Sequence, residues 1–237
     1  MQSKNFVVQG KPSMNNIINL VFPIMKGKEL AADHNYHLHA ALSKQFPIFN
    51  QLEGLAINTI SGIPDKQGKI ALTPSSKLYL RLPVEAIQQI YPLAGQNLQI
   101  GEYSIQLGNP ELQPLEQITT LKARLVTIKG YTETTAFLEA AQRQLKALEI
   151  EANVGIPAND QGEPKRLTLK INKAKAKRSY TVVGFSVIVS DLTLDDSIKL
   201  QVYGLGGKRR LGCGVFYPNV PVYQTQRGQE NVETTIS

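Results

Sequence analysis

The chain has 237 residues, 42% of them hydrophobic, a net charge of +7 and an isoelectric point near 9.4. That length builds one large core or two small ones, and the single cysteine, Cys213, excludes an internal disulfide and a cysteine-based zinc cluster. Nothing resembles a secretory signal, and the apolar run Asn15–Met25 is too short to span a bilayer and contains Pro23, so a soluble, cytoplasmic protein is expected.

In chain order, Ile17–Phe22 reads as a buried strand, being short, apolar and rich in branched residues. Asp33–Phe46 reads as a helix with Asp33 as N-cap and Pro47 as its stop. Residues 52–63 (LEGLAINTISGI) predict a strand. Residues 69–83 predict two strand pieces around a Pro-Ser-Ser turn, with Leu78, Leu80 and Leu82 alternating. Residues 84–95 predict a short helix, and residues 97–108 a hairpin around Gly101. The order is then β-α-β-β-α-β.

The same order recurs. Residues 117–130 read as a strand region and residues 132–150 as a helix, with Phe137, Leu138, Ala141, Leu145 and Leu148 on one face. The segments RLTLKIN (166–172) and YTVVGFSVIVSDL (180–192) predict strands flanking a lysine-rich turn, KAKAKR. Residues 193–204 predict a helix capped by Thr193, and residues 211–218 a closing strand ended by Pro218. An α+β fold of two tandem ferredoxin-like domains follows, residues 1–112 and 113–224, with a linker at GNPELQPL (108–115) and a polar tail over 225–237. Such a fold names no function by itself.

Charge is unevenly placed. Between Pro164 and Ser190 there are seven basic residues and no acid, while the rest of the chain holds 19 of each sign. A local basic stripe favours a polyanion, with phosphates the leading candidate; a solvated lysine loop is the plain alternative. Gly204–Gly214 (GLGGKRRLGCG) has five glycines and the cations Lys208, Arg209 and Arg210. Glycines admit close backbone approach and positive φ, so this loop is expected to form an anion nest, or else a tight helix-to-strand turn. It is neither a Walker loop nor a dinucleotide fingerprint.

All three histidines lie within Asp33–Phe46. On a helix, Leu38, Leu42 and Gln45 share a stripe, with His34 at its N-terminal end and His37 and His39 flanking it on opposite sides. That separation fits metal binding poorly. His37 reads as a surface residue, and His34 as a catalytic or a packing residue. Tyr36 and His39, three residues apart, are neighbours on the helix surface. A histidine near neutral pKa with a tyrosine beside it suffices for RNA cleavage, because the 2′-hydroxyl is an internal nucleophile.

At these residues the sequence resembles the CRISPR repeat-RNA processing endoribonucleases of the RAMP superfamily. DHNYHLHAALSKQFP looks like that family's first helix. YGLGGKRRLGCGVFYP looks like its C-terminal glycine-rich signature, and the tandem element order covers nearly the whole chain. The resemblance implies metal-independent cleavage of precursor CRISPR RNA within its repeats, leaving 5′-hydroxyl and 2′,3′-cyclic phosphate ends. It also implies retention of the guide RNA for a type I interference complex, whose other subunits would be partners. No cofactor and no metal are implied. Two family patterns compete for the catalytic site: Tyr-x-x-His selects Tyr36 and His39, and Asp-His-x-Tyr selects His34 with Asp33 and Tyr36. Where the second pattern places a further histidine beyond the proline, this chain has Phe49 and Asn50. RNA contacts are expected from Lys170, Lys173, Lys175, Lys177 and Arg178 on a basic hairpin, and from Gly206, Gly207, Lys208, Arg209 and Arg210 on the glycine loop. A non-catalytic guide-RNA-binding subunit of the same superfamily, and a basic ferredoxin-like RNA-binding protein of unrelated role, are the alternative readings.

Overall fold

The computed structural model describes residues 16–65, 67–173 and 178–219. The N-terminal half contains β1 (Ile17–Lys26), β2 (Glu29–Ala31), α1 (Asn35–Gln45), β3 (Ala56–Ile57), β4 (Ile63–Pro64), β5 (Lys69–Ala71), β6 (Lys77–Pro83), α2 (Ile87–Ile90), β7 (Asn97–Ile100), β8 (Tyr103–Leu107) and β9 (Glu111–Gln113). The C-terminal half contains β10 (Leu121–Val126), α3 (Thr134–Ala147), β11 (Asn153–Gly155), β12 (Arg166–Lys173), β13 (Arg178–Ser190), α4 (Leu194–Tyr203) and β14 (Tyr217–Pro218). This is a mixed α+β architecture. One antiparallel sheet runs β3-β6-β1-β8-β7 with β9 also on β1, and a second runs β11-β13-β10-β14 with β12 on β13.

Alternation along the strands sets the cores. Leu78, Leu80 and Leu82 of β6 pack with Leu20 and Phe22 of β1 and with Leu38 and Leu42 of α1. Fully burying each such leucine contributes about 1.5–3 kcal/mol. Tyr79 and Arg81 lie between those leucines and so face the other side of the sheet. In the second half, Phe137, Ala141 and Leu145 of α3 pack on Phe185, Val187 and Val189 of β13, with the Phe137 and Phe185 rings 4.8 Å apart. β13 is long enough to do two jobs. Its last third pairs with β10 and β11 inside the sheet, and its first part pairs with β12 as a projecting arm. Among the described residues no helix is long and apolar enough to cross a membrane.

Several local expectations change. Asp33 does not cap α1: the N-cap is His34, with no side-chain cap bond, and the Asp33 carboxylate is engaged elsewhere. Residues 52–63 supply the two-residue β3 and the first residue of β4, and β5 leaves the main sheet for a small one, β2-β5-β4. The expected linker contains β9, which pairs with β1. RLTLKIN is the strand expected, paired with β13 along the arm, and the unforeseen three-residue β11 also pairs with β13. Of residues 211–218 only Tyr217 and Pro218 are strand, although Cys213–Phe216 are buried. The residue-84 helix is a 3-10 turn, the single turn α2 and a second 3-10 turn. The centre of the lysine-rich turn and the polar tail lie outside the described residues.

Candidate active site

The site forms where the halves meet. Arg81 on β6, 2% exposed, sends its Nη1 to the carbonyls of Gln201 (2.7 Å) and Phe216 (2.8 Å), and its Nε to Asn19 Oδ1 (3.0 Å). Gln201 lies in the last turn of α4, where carbonyls lack helical partners and the helix dipole favours a cation. Burial, and then the like charge of Arg209, bring the Arg81 guanidinium down to about 9, so it is charged at neutral pH. Arg209 Nη2 reaches the same Gln201 carbonyl at 3.3 Å, and burial lowers it to about 10. Arg210 spans in the other direction, from the glycine loop to the carbonyls of Asn50 (2.7 Å) and Leu52 (2.8 Å) just past α1.

The glycines of this loop answer to packing. A Cβ on Gly212 would strike Asn35 Nδ2 on α1 and one on Gly214 the carbonyl of Leu205; both glycines have positive φ. The close approach lets Asn35 Nδ2 donate to the Leu211 carbonyl (2.7 Å) and to Thr59 Oγ1 (2.7 Å). The loop does not leave its N–H groups open as a nest. Those of Gly206, Gly207 and Gly214 donate to Gln144 Oε1, Thr127 O and Leu125 O. Of the expected RNA-contacting residues here, Gly206, Gly207 and Lys208 are exposed, whereas Arg209 and Arg210 hold carbonyls of the protein itself. Lys208 lies 5.9 Å from the ring centre of Tyr180 on the arm.

Geometry separates the three histidines. His34 is 1% exposed. Its Nδ1–H donates to the Ala31 carbonyl (2.8 Å), and its Nε2 accepts from the Ile60 amide (3.1 Å). Both nitrogens are occupied, and burial lowers the ring to about 4, so His34 is a neutral structural link between α1 and the segment after β3. This geometry argues against His34 as proton carrier. His37, expected as a plain surface residue, meets the Tyr36 ring edge-on at 5.7 Å and packs below Gly101. His39 is half-buried, with Nε2 3.4 Å from Ser43 Oγ. Burial, and then the Arg210 cation, hold it below the ordinary histidine value of 6.5. Tyr36 packs against the buried cluster of Leu125, Leu169, Ile171 and Cys213, of which Leu169 and Ile171 belong to the arm. Among the described residues no three His, Cys, Asp or Glu side chains are grouped as metal ligands.

On the basic arm, Lys170 is exposed and Lys173 and Arg178 face each other in the strand register; Lys175 and Lys177 lie outside the described residues. An inter-half cavity of about 470 Å³ opens beside the site, with Tyr79, Tyr217, Asn58 and Arg124 as its polar lining. Sequence reasoning passed over Asn58, Tyr79, Arg124 and Tyr217. Tyr79 and Arg124 lie on strands where the apolar alternation drew attention to the opposite face. Cys213 is buried and its thiol is pushed up to about 11 by that burial, which leaves it inert.

A family model described as Cas6 Crispr matches residues 18–220. A CRISPR-associated endonuclease Cas6 of Myxococcus xanthus (strain DK1622) is 32% identical over 203 residues, covering 85% of this chain and 81% of that protein. Among solved structures, a RAMP protein described as binding different RNA substrates matches with a TM-score of 0.55 at 13% identity, over 85% of this chain and 98% of its own. A CRISPR-associated protein Cas6 matches at 0.53 and 11%, with the same coverages. The family model and the curated relative define a CRISPR-associated protein, and the solved structures share its fold. Within that class the chain belongs to the Cas6 family, the CRISPR repeat-RNA processing endoribonucleases.

Proposed function

We propose that the protein is a metal-independent endoribonuclease that cuts precursor CRISPR RNA within its repeats, with His39 as the proton carrier and Tyr36 beside it. The observation that carries the assignment is the contrast between two histidines. His34 is buried with both nitrogens committed to backbone groups, whereas His39, although tied to the Phe49 backbone and near Ser43 Oγ, is only half-buried and lies close to Arg210 of the other half. The two sheets with their helices are read as tandem ferredoxin-like domains, and their junction supplies the site.

In this mechanism neutral His39 takes the 2′-hydroxyl proton. The 2′-oxygen bonds to the adjacent phosphorus, and the bond from phosphorus to the 5′-oxygen breaks. That oxygen picks up a proton and leaves as a 5′-hydroxyl, with a 2′,3′-cyclic phosphate on the other product. The internal nucleophile requires no metal-generated hydroxide. Tyr36 orients the phosphate, and the depressed pKa of His39 keeps the base form populated at neutral pH. Lys208 and the basic arm hold the RNA backbone by salt-dependent, shape-directed contacts, and the exposed Gly206 and Gly207 leave room for its close approach. The mature guide stays bound for an interference complex in the cytoplasm.

The test is a single-turnover assay on the repeat RNA of the source genome in EDTA, reading the product ends. The parental protein is expected to cut, and His39→Ala to lose at least about 100-fold in rate while still binding RNA. Binding without any product from the parental protein would move the reading to a guide-RNA-holding subunit.

A further inference from the structure

We propose that Asp33 is a positioning residue that docks the basic β12–β13 arm onto the first turn of α1, so that RNA held by the arm sets the placement of Tyr36 and His39. This rests on the reading of those two residues given above. The sequence places Asp33 where a helix cap belongs, yet the helix starts without one. Its Oδ2 instead accepts the backbone N–H of Lys170 at 2.6 Å, across 137 residues of chain. Among the described residues β12 pairs only with β13. Its outer edge therefore carries unpaired amides, and Asp33 takes one of them with an ionised acceptor, the stronger kind of hydrogen bond.

A second contact lies three residues further on, in the first turn of α1. Tyr36 packs against the buried cluster that includes Leu169 and Ile171 of the arm, together with Leu125 and Cys213. One polar and one apolar contact from the start of α1 thus grip the element that carries the uninterrupted basic stretch between Pro164 and Ser190. Both contacts fix a direction. The arm cannot shift along its own edge without moving the residue expected to orient the phosphate.

Two substitutions remove this bond from its two sides. Asp33→Ala deletes the acceptor. Lys170→Pro deletes the donor at an outward-facing edge amide, where proline is tolerated, and Lys170→Ala is its control, keeping the amide while losing the charge. With protein saturating over RNA, Asp33→Ala and Lys170→Pro are each expected to slow cleavage about tenfold, the double variant no more than either alone. Dissociation constants should stay within about threefold of the parental protein for Asp33→Ala, and of Lys170→Ala for Lys170→Pro. Asp33→Asn, which keeps an acceptor oxygen, should recover most of the rate. Lys170→Ala measures the share of rate and affinity that belongs to the lysine charge, and the loss in Lys170→Pro is read relative to it. Additive losses in the double variant, or parental cleavage by Asp33→Ala, would overturn the proposal.

Amide exchange separates this from failure of the proposed function. If the parental protein binds repeat RNA but does not cut it, the docking still predicts faster exchange at the Lys170 amide in Asp33→Ala. It also predicts RNA-induced protection of α1 in the parental protein that Asp33→Ala lacks. Unchanged exchange in both would sink it.

Discussion

Replacing Arg81 by methionine tests how the halves are joined. The side chain is buried and makes three hydrogen bonds, two of them to carbonyls of the other half. Methionine keeps most of the apolar stem, so packing loss is small. The Phe216 carbonyl and Asn19 Oδ1 lose their charged donor while the Gln201 carbonyl keeps Arg209, and each buried orphan costs about 1–3 kcal/mol. Against this, a cation that burial and Arg209 already disfavour is removed, which returns part of the loss. The net expectation is a destabilisation of about 2–4 kcal/mol. Urea unfolding followed by tyrosine fluorescence and far-UV circular dichroism reads it directly. With a slope of about 2–3 kcal/mol per molar, the midpoint falls by roughly 1 M. Because these bonds cross between halves, the two probes should also cease to coincide in the variant. Arg81→Lys, with one cationic donor group, should lose about half as much. A midpoint shift below about 0.3 M for Arg81→Met would refute the reasoning, since it would mean the orphaned acceptors find other donors at no cost.

Stability should fall between pH 6.5 and 4 through His34. Its folded value, about 4, lies below the unfolded 6.5, so the unfolded chain binds the extra proton in that window and the stabilisation, complete above 6.5, is lost on acidification. From pH 7 to pH 5 the loss is about 2 kcal/mol, and His34→Gln should flatten it in pH-dependent urea titrations. The acid limb of the cleavage profile should lie below pH 6.5, reporting the lowered His39. Arg210→Met should move that limb to higher pH, because the cation helps hold His39 down. Gly212→Ala places a methyl group against Asn35 at positive φ and should lower thermal stability by about 2–4 kcal/mol. Lys208→Ala should reduce the salt slope of RNA binding by about one unit, read by filter binding across a potassium chloride series.

Much of the architecture was legible because periodicity reports burial. The Leu78, Leu80, Leu82 alternation and the Phe137, Ala141, Leu145 stripe both land in the cores. What escaped were features that leave no period: the three-residue β11, the strand β9 inside a proline-flanked stretch, and the loop-like run Cys213–Phe216, which is buried by packing into the clusters of its own half rather than by strand pairing. At the site, the clustering of histidines was visible but their division of labour was not. It depends on which backbone groups reach each ring, and Ala31 O and Ile60 N are brought to His34 only by the folded chain. The cations of the glycine loop were misjudged for the same reason. A guanidinium in a polar loop reads as solvated, yet Arg209 and Arg210 find carbonyl acceptors that carry no side-chain signature.

Those acceptors have an evolutionary consequence. Arg81, Arg209 and Arg210 address main-chain oxygens at positions 50, 52, 201 and 216, and a carbonyl is present whatever residue occupies the position. The seam between the halves therefore tolerates drift on its accepting side as long as the backbone path and the arginines persist. Either half is free to adapt its outer surface to a changed repeat RNA without a compensating change across the seam.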